Sequence, residues 1–171
     1  QIDGASINGN PFFCTAGIGF DAHIANEFAA STKRGFVTYF TTTIKEFFSY
    51  SSSLYKITID VKIIETNAFL ITVANAGQWG NDVYIAPEAE LSDGILNVSI
   101  LKPFSNFAIP MIGVKLFSKK IHTSINLISE KGKNIDIEFD GELPVHFDGE
   151  PIRVSNKLSI TIMPLALHIV C

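Results

Sequence analysis

Four stretches of this chain alternate apolar and polar residues with a period of two. Ile57, Ile59, Val61 and Ile63 interleave with Thr58, Asp60 and Lys62; Leu96, Val98 and Ile100 with Asn97 and Ser99. Ile135, Ile137 and Phe139 interleave with Asp136 and Glu138, and Leu158, Ile160 and Ile162 with Ser159 and Thr161. A period of two puts alternate side chains on opposite faces, so each stretch predicts a strand with one face in a core and one toward water. The run from Ala68 to Ala74 is apolar almost throughout and predicts a central strand covered on both faces. Asp-Gly occurs four times, at Asp3-Gly4, Asp93-Gly94, Asp140-Gly141 and Asp148-Gly149. That dipeptide favours the positive-φ turns that join antiparallel strands. Many short strands with repeated turn signals predict a mainly β, antiparallel sandwich-like domain.

Helical signals are fewer. Asp21 can cap a segment carrying Ile24, Ala25, Phe28 and Ala29 on one face. After Gly35, the residues Phe36, Phe40, Ile44, Phe47 and Phe48 recur at helical spacing. A third helix is expected from about Asn106 to Phe117, with Pro110 in its first turn. The Phe-rich face is read first as core and second as an acyl-chain groove.

At 171 residues, 47% of them hydrophobic, the chain is long enough for one domain with a substantial core. Its net charge of −4 argues against a nucleic-acid partner, which would want a basic stripe. Cys14 and Cys171 lie at opposite ends and form no disulfide framework, so a reducing, cytoplasmic setting is expected, with Cys14 a small buried hydrophobe. No apolar run reaches about 18 residues, so no membrane-spanning helix is expected. Gln1 opens almost directly into strand-like sequence, which predicts a chain cut at a domain boundary. His23, His122, His146 and His168 show no metal-ligand spacing.

Three motifs remain: Gly17-Ile18-Gly19-Phe20-Asp21-Ala22; Ile85-Ala86-Pro87 leading to Asp93-Gly94-Ile95-Leu96; and Phe147-Asp148-Gly149-Glu150-Pro151, followed by a last strand ending in Pro164-Leu165-Ala166-Leu167. Read alone, the glycine pair allows close backbone packing, and each Asp-Gly is a turn. A carboxylate beside unpaired turn carbonyls also suits a hard cation. A glutamate held at a strand mouth, partly desolvated by Phe147 and Pro151, suits the acceptance of a hydroxyl proton.

Taken together, and with Asn75-Ala76-Gly77-Gln78-Trp79-Gly80 before the Ile-Ala-Pro segment, these motifs resemble the C-terminal half of the bacterial diacylglycerol kinase, or YegS-like, lipid kinase family, related to sphingosine and ceramide kinases. The resemblance runs from Ile2-Asp3 to Pro164-Leu165-Ala166-Leu167. It implies the β-sandwich-like C-terminal domain of the NAD kinase/diacylglycerol kinase-like fold, one domain over residues 1–171. It implies a full enzyme that moves the γ-phosphoryl group of ATP to a lipid hydroxyl, on diacylglycerol or a sphingoid base. Glu150 would be the general base, because only it, and not Glu142 of the near-repeat Phe139-Asp140-Gly141-Glu142, stands at the family's distance from the closing Pro-x-Ala-Leu. A Mg²⁺ site would take the Asp93 side chain with the backbone carbonyls of Glu90 and Ile95. Asp148 would orient the turn or help organise metal and phosphate, and Trp79 would line a lipid pocket or cover the core. The family's glycine-rich nucleotide loop is missing from the chain. ATP would therefore bind a separate N-terminal nucleotide-binding domain, and the chain alone would be inactive. The implied partners are that domain, a lipid substrate, the peripheral membrane surface and a second copy in a homodimer. Two rivals stand beside this reading: a kinase of another acceptor such as NAD, and a lipid-binding β-domain with no enzymatic activity.

Overall fold

In the computed structural model, which describes residues 1–30, 43 and 46–169, the alternating stretches become strands of a ten-stranded antiparallel sheet folded into two layers. The strands are β1 (Ile2–Ile7), β2 (Asn10–Phe12), β3 (Thr15–Gly19), β4 (Ser53–Ile59), β5 (Lys62–Ala68), β6 (Leu70–Ala74), β9 (Leu96–Leu101), β10 (Leu127–Gly132), β11 (Asn134–Phe147) and β12 (Glu150–Leu167); β7 (Gln78–Gly80) and β8 (Val83–Tyr84) form a separate small hairpin. Helix α1 spans Phe20–Ala30 and α2 spans Ile109–Phe117, with 3-10 turns at Asn106–Ala108 and Ile121–Thr123.

The two layers share the long β11–β12 hairpin. The far part of β11, Val145 to Phe147, pairs with β3, and through β3 the layer continues to β6, β9 and β10. The near part, Ile135 to Glu138, pairs with β4, and β12 carries the same layer on to β1 and β2. The change of layer coincides with a register shift between Glu138 and Glu142. There the Gly141 amide donates to the Asn156 side-chain oxygen at 3.2 Å, with φ of 78° at Gly141 and 64° at Asn156. A bulge of this kind bends both strands and lets one pair serve two sheets. The main core lies between the layers: Ile18, Ile71, Val98 and Val145 from one meet Ile7, Ile57, Ile137 and Ile160 from the other. A second apolar cluster on the outer face of β6 and β9 joins Phe20 and Ile24 of α1 to Phe69, Leu70, Ile85 and Leu101.

Several local readings change. Ile57 to Ile63 is not one strand but a hairpin, with the exposed Val61 in a two-residue turn between Ile59 and Lys62. Asp60 accepts the left-handed turn position (φ 52°), and its carboxylate takes the amides of Lys133 and Asn134, so alternation there continues through a turn rather than along a strand. The apolar run from Ala68 to Ala74 is buried throughout but is not one strand: it breaks at Phe69, between the end of β5 and the start of β6. On β9 the polar Asn97 and Ser99 are buried too, because the second cluster covers the outer face; the Ser99 hydroxyl donates to the Ile85 carbonyl at 3.0 Å. Asp3-Gly4 lies inside β1, and Asp140-Gly141 is the bulge of β11, so neither is a hairpin turn. Cys14 is exposed, because the chain bends at Phe13-Cys14 before entering β3. Partial burial, with the Asp148 charge beside it, raises its thiol pKa. Of the expected Phe-rich helix, Phe36, Phe40 and Ile44 lie outside the described residues, whereas 46–49 is helical and Phe47 packs its ring on Phe20, Phe69 and Phe104. The third helix forms as expected, with Pro110 in its first turn, where a missing N–H costs nothing.

Candidate active site

Phe147 pairs with Glu150 across a two-residue turn in which Asp148 and Gly149 both have positive φ, 48° and 87°. Two positive φ values make the type I′ turn, whose twist matches that of the flanking strands. Glu150 is therefore the first residue of β12, on a rigid hairpin, and its side chain is exposed. The desolvation expected from Phe147 and Pro151 is not supplied by the described residues.

Asp148 fixes where that hairpin points. Its carboxylate accepts three successive backbone amides, from Phe13 at 2.7 Å, Cys14 at 2.8 Å and Thr15 at 3.0 Å, while its own amide donates to the Thr15 carbonyl at 2.8 Å. The next link is Asn75, fully buried at the end of β6. Its side-chain amide donates to the Phe13 carbonyl at 2.8 Å and to the Asp3 carbonyl at 2.9 Å. Asp3 in turn holds the Asp93 loop of the second motif. Its carboxylate, 1% exposed, accepts from the Gly94 amide at 2.7 Å and from the Leu165 amide at 2.7 Å, and its own amide donates to the Leu91 carbonyl at 2.6 Å. The Glu150 turn and the Asp93 loop are thus ends of one hydrogen-bonded chain running through Asp148, Asn75 and Asp3.

In the loop itself Asp93 and Glu90 are exposed and Ile95 is half-buried. One Asp93 carboxylate oxygen accepts from the Ile95 amide at 3.1 Å, an Asx turn. Among the described residues no hydrogen bond ends on the Glu90 or Ile95 carbonyl, and Asp93 keeps its second oxygen unused. One carboxylate oxygen with two backbone carbonyls is a donor set of the type that Mg²⁺ or Ca²⁺ takes, completed by water. No group of three or more acidic, histidine or cysteine side chains that could hold a metal occurs among the described residues.

The glycine motif serves packing. A Cβ on Gly17 would stand 2.2 Å from the Asp21 Oδ2 and 2.7 Å from the His146 Nε2. Asp21 does not cap its helix across a turn as expected; it is turned inward, where Oδ2 lies 3.2 Å from His146 and accepts the Thr72 hydroxyl at 3.1 Å. Trp79 packs against the second apolar cluster and so covers it. Beside that cluster Phe47, Phe48, Tyr50, Phe69 and Phe104 line a shallow cavity of about 240 Å³.

A model of the YegS C-terminal NAD kinase beta sandwich-like domain matches residues 14–171. The chain belongs to this family. The YegS-type domain is 26% identical over 171 residues, 99% of its length, to "Probable lipid kinase YegS-like" of Shewanella frigidimarina (strain NCIMB 400), and covers 55% of that protein. It is 25% identical over 170 residues to the protein of the same name in Pseudomonas aeruginosa (strain UCBPP-PA14), again covering 55% of it. Its fold superimposes with a TM-score of 0.72 on the crystal structure of "a putative diacylglycerol kinase from Bacillus anthracis str. Sterne", at 27% identity, over 95% of this chain and 53% of that one. The YegS-type domain therefore spans about half the length of its curated relatives and corresponds to their C-terminal part. Among its described residues no helix is long and apolar enough to cross a membrane.

What sequence reasoning missed is Asp3. An aspartate followed by glycine signals a turn, and its two amide donors lie about 90 and 160 residues further along the chain. The one local sign is its place in a strand beside the small residues Gly4 and Ala5, which are buried with it.

Proposed function

We propose that this domain is the acceptor-side, catalytic-base half of an ATP-dependent lipid kinase that phosphorylates a lipid hydroxyl, diacylglycerol first and a sphingoid base second. The observation that carries the reading is the continuity from the Glu150 turn through Asp148, Asn75 and Asp3 to the Asp93 loop. Two motifs separated by more than fifty residues of sequence are thereby fixed to one scaffold. Precise placement is what phosphoryl transfer chiefly asks of a protein.

In this reading Glu150 accepts the proton of the lipid hydroxyl as that oxygen bonds to the γ-phosphorus of ATP. The bond from that phosphorus to the bridging oxygen breaks, and ADP leaves. The exposure of Glu150 suits a base that must meet a substrate and a second domain. ATP binds an N-terminal nucleotide-binding half, without which the chain transfers nothing. Mg²⁺ held by the Asp93 carboxylate and the Glu90 and Ile95 carbonyls would supply charge and rigidity at the loop. The work takes place in the cytoplasm, at a membrane surface.

The test is transfer of labelled phosphate from ATP to a panel of lipids by the full-length protein. Glu150→Gln is expected to lower the rate by about 10²–10⁴-fold, the usual worth of a positioned base. In the same preparations, saturable Mg²⁺ binding without nucleotide is expected to vanish in Asp93→Ala. Undiminished transfer by Glu150→Gln refutes the base, unchanged Mg²⁺ binding refutes the metal loop, and wild type that phosphorylates no lipid refutes the kinase reading.

A further inference from the structure

Residues 94–129 contain four lysines, Lys102, Lys115, Lys119 and Lys120, and no aspartate or glutamate, in a chain whose net charge is −4. Helix α2 and both 3-10 turns lie within this segment. The inner side of α2 carries the buried Ile112 and the half-buried Leu116, the latter packed on the second apolar cluster. The opposite side is apolar too, yet open to water, and the stripe begins in the preceding 3-10 turn: Phe107 there is 96% exposed, and on α2 Met111 is 60%, Val114 63% and Phe117 63% exposed. These follow one another at spacings of three and four, which is one face of a helix. Ile125, 89% exposed, follows the 3-10 turn that packs on α2.

The lysines border this stripe without being neutralised. Lys115 donates to the Thr123 carbonyl at 2.9 Å, Lys119 sits 4.2 Å from the centre of the Tyr84 ring, and Lys120 is exposed. Among the described residues none of the four is in an ion pair. An apolar face with aromatic residues, bordered by lysines and built from a segment with no acidic residue of its own, complements an anionic lipid surface. A symmetric contact with a second copy would set these lysines against themselves. The aromatic cavity described above is lined in part by Phe104 and Asn106, just before the stripe begins in sequence.

We propose that α2 and its flanking 3-10 turns are a membrane-docking face. Phe107, Met111, Val114 and Phe117 enter the headgroup boundary of an anionic bilayer, and Lys119 and Lys120 engage lipid phosphates. The purpose of the docking rests on the lipid-kinase reading, whereas its chemistry does not.

The test is flotation of the full-length protein with vesicles of phosphatidylcholine, with and without about 30 mol% phosphatidylglycerol. Wild type is expected to bind the anionic vesicles at least tenfold more tightly. Met111→Glu with Val114→Glu, and separately Lys119→Glu with Lys120→Glu, are each expected to cost at least tenfold; all four residues are exposed, so both variants should keep the wild-type circular dichroism. Equal vesicle binding by wild type and both variants overturns the proposal. So does a variant that binds vesicles normally but sediments as a smaller species, since the stripe would then join copies of the chain. Phosphate transfer to a water-soluble short-chain diacylglycerol separates the two readings: vesicle binding without transfer sinks the kinase and leaves the docking face, and transfer without vesicle binding does the reverse.

Discussion

Replacing Asp148 with alanine removes one carboxylate and leaves three backbone amides without their acceptor. A hydrogen bond to a charged group contributes about 1.5–3 kcal/mol when shielded. Thr15 is 5% exposed, so the loss at its amide is nearly complete, whereas Phe13 and Cys14 lie where water can replace much of the bond. The three together come to roughly 2–4 kcal/mol. Alanine also tolerates the left-handed conformation at this position (φ 48°) less well than aspartate, which adds about 1 kcal/mol. With a urea slope of about 2 kcal/mol per molar, the unfolding midpoint of the domain should fall by about 1.5–2.5 M. Asp148→Asn keeps the turn preference and one oxygen, and should lose less than half as much. The control is Asp140→Ala, at the other Phe-Asp-Gly-Glu sequence, where no hydrogen bond of the side chain occurs among the described residues; its shift should stay under about 0.5 M. Equal midpoints for Asp148→Ala and Asp140→Ala would refute the clamp and, with it, the claim that Asp148 places Glu150.

Asp3→Ala removes a buried carboxylate from the Gly94 and Leu165 amides, and is expected to destabilise the domain by about 3–5 kcal/mol, read by urea unfolding. A loss under about 1 kcal/mol would show that the Asp93 loop does not depend on it. A pH series tests two surface carboxylates. Hydrogen bonds from Asn134 and Lys133 hold Asp60 below the usual aspartate range, and those from Ser159 and Lys157 do the same for Asp136. Each group is deprotonated in the folded chain at pH values where the unfolded chain binds a proton, so stability rises with pH there. Their contribution is complete above about pH 4 and fades as pH falls through the depressed folded values. Asp60→Asn with Asp136→Asn should flatten the stability profile below about pH 4 and leave its shape above unchanged. A profile still as steep at low pH as that of the wild type would refute the assignment.

The strands were legible wherever alternation coincided with a two-layer core. Ile135, Ile137 and Phe139 are buried as read, and so are Leu158, Ile160 and Ile162. Alternation misled at Val61 because a two-residue turn preserves the period while reversing the chain. Asp-Gly was read correctly at Asp148 but not at Asp3 or Asp140, since the dipeptide reports a tolerance for positive φ and not the surroundings that call on it. Of the candidate site, the two motifs were legible by resemblance. The links between them were not: Asn75 and Asp3 act through backbone groups far along the chain, and backbone partners leave no mark on residue type.

The bond between Asp3 and Leu165 also sets an order of assembly. A ribosome delivers Asp3 and Gly94 long before Leu165, and β1 pairs with β12 across almost the whole chain, from Ile2 to Leu167. Contacts of such separation form late, because the cost of closing the loop comes before its reward. A nascent domain therefore carries the Asp93 loop on a half-satisfied carboxylate until its last strand is in place. The loop proposed to hold the cation is completed by the last strand of the sheet, so that chains broken off before Leu165 would lack a finished loop.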